Sequence, residues 1–272
     1  MAGHELTVYG ARGSIPAPSR DRQRYGGNTT CFAMPLEADR VLIIDAGTGL
    51  AFADDLWLQR PSTYDVLITH YHLDHLLGLQ SFRPFFDPAN SFTFFGMAPE
   101  RGTIEEAIGG VFASPWFPVQ LPDIACGRRY VELDGSPFTV ADVTVATTPL
   151  QHPQGVVAYR LQRGDRSVVI ATDHEADRGP MDDALIELSR NADVLIHDAQ
   201  YTPDELESLY DGWGHSTWRD AVRVAREAGV SQLVLTSHDP YRPDSGIDAI
   251  VAAARREFPH VIGAYEGLSI PL

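Results

Sequence analysis

The chain has no lysine. All 21 of its basic residues are arginines, and 37 aspartates and glutamates outnumber them, which leaves a formal net charge of −16. That balance argues against gripping a long polyanion by phosphate neutralisation, which needs a basic surface, so tRNA or another long nucleic acid is not the expected partner. Cysteine is almost as scarce. Cys31 and Cys126 cannot build a disulfide framework or a four-thiolate zinc site, and they read as small buried hydrophobes in a reducing compartment. No apolar run approaches the ~18 residues of a membrane helix. Met1–Ile15, carrying His4, Glu5 and Arg12, lacks the apolar stretch of a signal peptide. The expectation is a cytoplasmic protein with no membrane partner. Repeats and low-complexity tracts are also missing, and 44% apolar with 21% charged residues is ordinary for a globular chain. Its 272 residues read as a single domain, 1–272.

Short β-type runs and glycine turns fill the first third: Leu6–Tyr9, Cys31–Pro35 and Val41–Asp45, with a Gly-, Pro- and Arg-rich loop between Gly10 and Thr30. The spacing predicts a helix over Gly49–Gln59, and Asp65–Thr69 reads as a buried strand. In the middle, Ser91–Phe95 reads as a strand and Pro99–Ile108 as a helix. Four strands follow, at Tyr130–Leu133, Thr139–Thr147, Val156–Arg163 and Ser167–Thr172. The last third alternates: helix Met181–Ser189, strand Val194–His197, helix Thr217–Glu227, strand Gln232–Thr236, helix Ile247–Phe258, strand Val261–Gly263. Two sheets between helical layers fit this order.

Strand Asp65–Thr69 runs into His70-Tyr71-His72-Leu73-Asp74-His75. Alternate positions of an extended segment point the same way, so His70 and His72 can face one ion. A helix starting near Leu73 would swing Asp74 and His75 toward a second. Imidazole and carboxylate are ligands suited to zinc, manganese and iron.

This run resembles the His-x-His-x-Asp-His signature of the metallo-β-lactamase superfamily. The resemblance covers nearly the whole chain, because later motifs follow in order: His152 in Leu150-Gln151-His152-Pro153, Asp173 closing Ile170-Ala171-Thr172-Asp173, and His238 closing Leu235-Thr236-Ser237-His238. It implies an α/β fold, an αβ/βα four-layer sandwich of two mixed β-sheets flanked by helices. It also implies two divalent metal ions, zinc first, with manganese or iron as the other candidates. His70, His72 and His152 would hold one ion and Asp74, His75 and His238 the other, with Asp173 shared, leaving a water between them as nucleophile. Asp45, in Ile-Ile-Asp-Ala-Gly-Thr-Gly, matches the family's first motif, which braces the ligand loop.

His72 stands where flavo-diiron oxidoreductases carry glutamate, and Asp173 where true β-lactamases use cysteine. Glyoxalase II, lactonases and the phosphodiesterase branch that includes ribonuclease Z remain. Val194-Leu-Ile-His197-Asp198-Ala-Gln200 resembles the His-Glu-Ala-Thr segment of ribonuclease Z, with Asp and Gln substituted. Gly214-His215-Ser216-Thr217 resembles its catalytic His-Ser-Thr. His215 would then protonate the leaving group, oriented by Asp198, while Asp74 serves both metal and catalysis. Ser14, Asn28 and Thr29 resemble substrate-facing positions of the glycine-rich N-terminal segment. Only 20 residues separate His152 from Asp173, too few for the tRNA-binding arm of ribonuclease Z. A dinuclear phosphodiesterase acting on a small phosphodiester, first of all a cyclic nucleotide, is the expected function, with a homodimer as the expected assembly. The alternatives are a carboxyl-ester or thioester hydrolase using the same ions without His215, and a non-catalytic metal-binding protein of the same fold.

Overall fold

Alternating apolar residues explain how the strands are layered. In the run Arg40–Ile44, Val41 and Ile43 enter one core cluster while Leu42 and Ile44 enter another, as a period of two demands. The structure is a computed structural model that describes residues 5–37, 39–53, 62–176 and 179–272.

One sheet is built from β1 (Glu5–Gly10), β2 (Cys31–Glu37), β3 (Arg40–Ile44), β4 (Thr63–Leu67), β5 (Ser91–Gly96) and β6 (Gly127–Glu132). The edge strand β14 (Ser269–Pro271) completes the order β14-β1-β2-β3-β4-β5-β6. Strands β3 to β6 run parallel, and β1, β2 and β14 join antiparallel. The second sheet contains β7 (Phe138–Val140), β8 (Val143–Leu150), β9 (Val156–Arg163), β10 (Arg166–Ala171), β11 (Val194–Asp198), β12 (Gln232–Thr236) and β13 (Val261–Gly263). Its order is β13-β12-β11-β10-β9-β8-β7, parallel from β10 to β13. Leu6, Phe32, Ile44 and Leu67 of the first sheet share a cluster with Val145, Tyr159, Ile170 and Val234 of the second, so the two sheets face each other.

Each outer face is covered separately. Leu79, Phe82 and Phe85, with Ile108 of α1 (Ile104–Gly110), cover the first sheet. On the second lie α2 (Pro180–Leu188), α4 (Trp218–Ala228) and α5 (Asp244–Glu257). A short α3 (Pro203–Glu205) continues as a π-turn, Leu206–Tyr210. This is the four-layer αβ/βα sandwich. No helix among the described residues is long and apolar enough to cross a membrane.

Some elements differ from the sequence reading for local reasons. A 3-10 turn, Thr48–Phe52, opens the helix expected over Gly49–Gln59, and residues 54–59 lie outside the described residues. The helix expected from Pro99 starts at Ile104 instead, because Thr103 and Glu106 form a reciprocal capping box there. The expected strand Thr139–Thr147 is two strands, turned at Ala141, whose φ is 51°. Strand β14 and the π-turn, both short, were not anticipated.

Asp182 ties the helical layer to the loop after β10. Its carboxylate accepts from His174 Nε2 at 2.8 Å and from Arg223 of α4. Against the cost of burial, these two partners hold Asp182 well below the usual carboxylate range. The stabilisation is therefore complete above the unfolded value of ~3.9 and is lost as pH falls through the depressed folded value. Asp182→Asn is expected to cost about 2–3 kcal/mol in urea denaturation near neutral pH, the partly hydrated Arg223 keeping it low in the buried-pair range. The deficit should shrink toward pH 2.

Candidate metal centre and active-site cleft

The ends of the strands carry the site. Asp45 follows β3, His70 and His72 follow β4, His152 follows β8, Asp173 follows β10, Asp198 ends β11 and His238 follows β12. Asp45, Asp173 and Ser237 have φ of 57°, 53° and 54°, the left-handed region that non-glycine residues seldom occupy. Three such residues, at the ends of β3 in one sheet and of β10 and β12 in the other, turn the chain sharply, a conformation that the surrounding layers must hold in place.

Ligand atoms converge in groups: His70 with His72 and His152, His70 with His75 and Asp173, and Asp173 with Asp198 and His215. The hydrogen bonds around the first group assign its free nitrogens. His72 Nε2 donates to Gln154 Oε1 at 2.9 Å, and His152 Nδ1 donates to the Gly214 carbonyl at 2.6 Å. That leaves His72 Nδ1 and His152 Nε2 facing each other at 3.1 Å with lone pairs only. His70 Nδ1 lies 3.1 Å from Thr69 Oγ1, while its buried Nε2 has no hydrogen-bond partner. Burial and His75 keep His70 neutral, its pKa well below the ordinary imidazole range. Three lone pairs without protons fit one cation.

The second group is acidic. His75 Nδ1 donates to Asp45 Oδ2 at 2.8 Å, which turns Nε2 toward Asp173 Oδ2 at 3.2 Å and Asp74 Oδ2 at 3.4 Å. Despite burial, Asp173, Asp45 and Asp74 raise the His75 pKa well above its usual value, so the pocket demands positive charge. Thr69 donates to both oxygens of Asp45, at 2.8 Å from N and from Oγ1, which fixes that carboxylate beneath His75. Ser237 Oγ donates to Asp173 Oδ1 at 3.1 Å and leaves Oδ2 to the His70 and His75 side. The donor set fits two divalent cations held by imidazoles and carboxylates.

His238 stands apart from the three groups. Its buried Nε2 donates to the Ala264 carbonyl at 2.9 Å, its ring packs edge-on against Tyr25, and no ligand group among the described residues includes it. Burial, working against the Ala264 carbonyl, lowers its pKa to about 3.

His215 sits beside the metal groups. Its Nδ1 donates to Asp198 Oδ2 at 2.7 Å, and the other oxygen of Asp198 accepts from the Ser216 backbone at 2.9 Å. Burial disfavours the imidazolium, yet Asp198 and Asp173 outweigh it and raise the His215 pKa to about 9. The cleft in front has a volume of about 520 Å³ and is lined by His72, Asp74, His152, Asp173 and His215 together with Ser14, Gln200 and several aromatic side chains.

The N-terminal loop is a correction. Ser14 reaches the cleft and its N–H donates to Asp74 Oδ2 at 2.8 Å. Asn28 and Thr29 do not: the Asn28 backbone and side chain donate to Glu266, and the Thr29 backbone donates to Thr48. The glycine there serves packing, since a Cβ on Gly10 would lie 1.8 Å from the Thr29 carbonyl oxygen. Arg12 is buried too, giving Nε to Gly26 and Nη1 to the carbonyls of Asp239 and Arg242, so its charge is spent inside the loop.

Sequence reasoning missed Gln154 and Gly214. Gly214 has φ 87°, and a Cβ there would lie 2.3 Å from His152 Nδ1, so only glycine brings its carbonyl against that ring. The local signal was the aromatic-between-glycines run Gly212-Trp213-Gly214 directly before His215. Two outcomes are expected in chelator-competition titrations with zinc. Asp45→Asn should weaken binding by about 10- to 100-fold, the range for loss of a ligand's supporting partner. Gly214→Ala should weaken it as well, by displacing His152.

Residues 40–238 match the model of the β-lactamase superfamily domain. Relatives named ribonuclease Z align over almost the full length. The one from Haloarcula marismortui is 26% identical over 97% of this chain and 95% of its own, and the one from Bacillus subtilis is 25% identical over 98% of each. Among solved structures, the metallo-β-lactamase fold protein YhfI from Bacillus subtilis has a TM-score of 0.71 at 21% identity over 98% of both chains. A diphosphatase of the PhnP family scores 0.70 at 18% identity, covering 98% of this chain and 97% of its own. Human tRNase Z, short form, scores 0.67 at 17% identity over 98% of each. These relatives overturn the exclusion of tRNA and long nucleic acid drawn from net charge. A total of −16 is a sum over the whole surface and does not describe the field inside one cleft, where bound cations would supply positive charge. The matched region, the paired sheets and the clustered ligands together place the chain in the β-lactamase superfamily, as a metal-dependent hydrolase of that fold.

Proposed function

We propose that the protein is a dinuclear-metal phosphodiesterase acting on a nucleotide phosphodiester, with His215 as general acid. One observation carries this reading: an imidazole outside the His70 and His75 groups lines the same cleft, locked by a buried carboxylate at 2.7 Å. Carboxyl-ester or thioester hydrolysis at the same ions has no need of it. Two divalent ions in these groups would supply a nucleophile at neutral pH and draw charge from the phosphoryl oxygens. The chain's own residues do the rest. Asp173 is positioned to be shared between the groups, with Asp74 and His75 on one side and His70, His72 and His152 on the other. Asp198 fixes His215 through Nδ1, so Nε2 is the atom that gives its proton to the departing oxygen.

The finer reading is a cyclic nucleotide. It is supported by the cleft volume and by the hairpin of β9 and β10, which fills the interval between His152 and Asp173. The relatives' name makes an RNA phosphodiester the competing substrate. Purified enzyme incubated with 2′,3′- and 3′,5′-cyclic nucleotides and with a tRNA precursor bearing a 3′ trailer decides between them by which is turned over.

Metal analysis should find about two transition-metal ions per chain, with one or both lost in Asp173→Ala. Bis(p-nitrophenyl) phosphate should be turned over faster than p-nitrophenyl phosphate, because the cleft lining, among the described residues, contains no arginine to match the monoester's second charge. His215→Ala should keep its metals while kcat falls by roughly 10²–10⁴ for an alkoxide leaving group, and by much less for p-nitrophenolate, which departs without a proton. An equal fall on both substrates would assign His215 to structure alone.

A further inference from the structure

The cleft has a second feature that the chemistry at the phosphorus does not use. Eight large apolar side chains stand exposed among the described residues, and four of them, Ile15, Leu73, Trp213 and Tyr241, line this one cleft. Trp213 is 61% exposed and Tyr241 75%, values that a folding core does not explain. They extend an aromatic series that begins at the proposed acid. Tyr201 meets the His215 ring edge-on at 5.9 Å, Tyr210 stacks on Tyr201 at 4.3 Å with 4° between planes, and Trp213 meets Tyr210 edge-on at 5.4 Å. Tyr210 sits on the π-turn Leu206–Tyr210, an irregularity often found at functional sites.

Charge around this wall is unhelpful to an anion. Among the described residues, the charged groups lining the cleft other than histidines are Asp74, Asp173 and Asp239, and no arginine is among them. Arg242, close in the chain, gives Nη2 to the Gln200 carbonyl and to Glu205 Oε2. What this lining offers to the part of the substrate beyond the reacting phosphorus is planar apolar faces. We infer that Tyr210, Trp213 and Tyr241 form a stacking subsite for the planar base attached to the scissile phosphodiester. This inference rests on the phosphodiesterase reading and specifies what lies next to the bond that is cut. Stacking on aromatic side chains tolerates any base, so the subsite grips a base without reading its identity.

The test compares two diesters with the same leaving group on the metal-loaded enzyme: uridine 5′-(p-nitrophenyl phosphate), which carries a base, and methyl p-nitrophenyl phosphate, which does not. The base-bearing ester should have a kcat/KM about 5- to 100-fold higher, the range for one base on an aromatic face. Trp213→Ala and Tyr241→Ala should each lose much of that advantage through KM, leave kcat and the methyl ester unchanged, and Trp213→Phe should restore part of it. Equal kcat/KM for the two esters in the wild type, or equal losses on both in the variants, overturns the subsite while the phosphodiesterase reading stands. Calorimetry with the methyl ester of uridine 5′-phosphate against dimethyl phosphate gives a readout free of turnover. Tighter binding of the uridine compound that depends on Trp213 supports the subsite even if no diester is cleaved, an outcome in which the phosphodiesterase reading alone fails. Absence of that preference overturns the subsite. Uridine 2′,3′-cyclic phosphate and the dinucleotide UpU, run in parallel, show whether a free cyclic nucleotide or an RNA end brings the base, and Trp213 dependence on either supports the inference.

Discussion

The structure turns on a local excess of lone pairs and negative charge at one end of two sheets. His70, His72 and His152 meet through nitrogens whose protons are absent or committed elsewhere, and Asp45, Asp74 and Asp173 surround His75. Such an arrangement inside a low-dielectric interior is costly unless cations fill it. The surrounding fold therefore has to be stiff enough to hold the donors together. Facing sheets with a shared apolar core provide that stiffness, and the inward turns at Asp45, Asp173 and Ser237 aim the side chains.

Ligands and their supports come from distant stretches of chain, and that distribution shapes the chemistry. Asp45 and Thr69 brace His75 from the first sheet, while Ser237 orients Asp173 from the second. His152 is held by a glycine carbonyl that belongs to the segment carrying His215. His152 and His215 thus share a support, so a displacement of Gly214 reaches both.

The acidic balance of the chain and the proposed phosphodiester substrate do not conflict. Net charge describes the average field around the molecule, and the cleft would depart from it because the converging carboxylates are where divalent cations would bind. Beyond that point the cleft lining, among the described residues, is aromatic and holds no arginine, and Arg12 is consumed in holding the N-terminal loop.

The sequence by itself determined the fold class, the six-residue ligand run and most strands, because periodic apolar residues and closely spaced histidines are local signals. Strands β9, β12 and β13 match the expected ranges end to end, and the four layers follow from the order of elements. Tertiary structure decided what depends on contacts between distant segments. Asn28 and Thr29 look like substrate groups in a glycine-rich loop, but Glu266 and Thr48 occupy their hydrogen bonds. His238, a ligand candidate at a strand end, has its Nε2 committed to Ala264, a contact that no motif records. Gln154 and the aromatic wall carry no motif of their own, and the motif around Gly214 does not reveal its contact with His152. Their roles exist only because folding places them against His72, His152 and the mouth of the cleft, and a one-dimensional pattern does not encode the direction in which a side chain finds its partner.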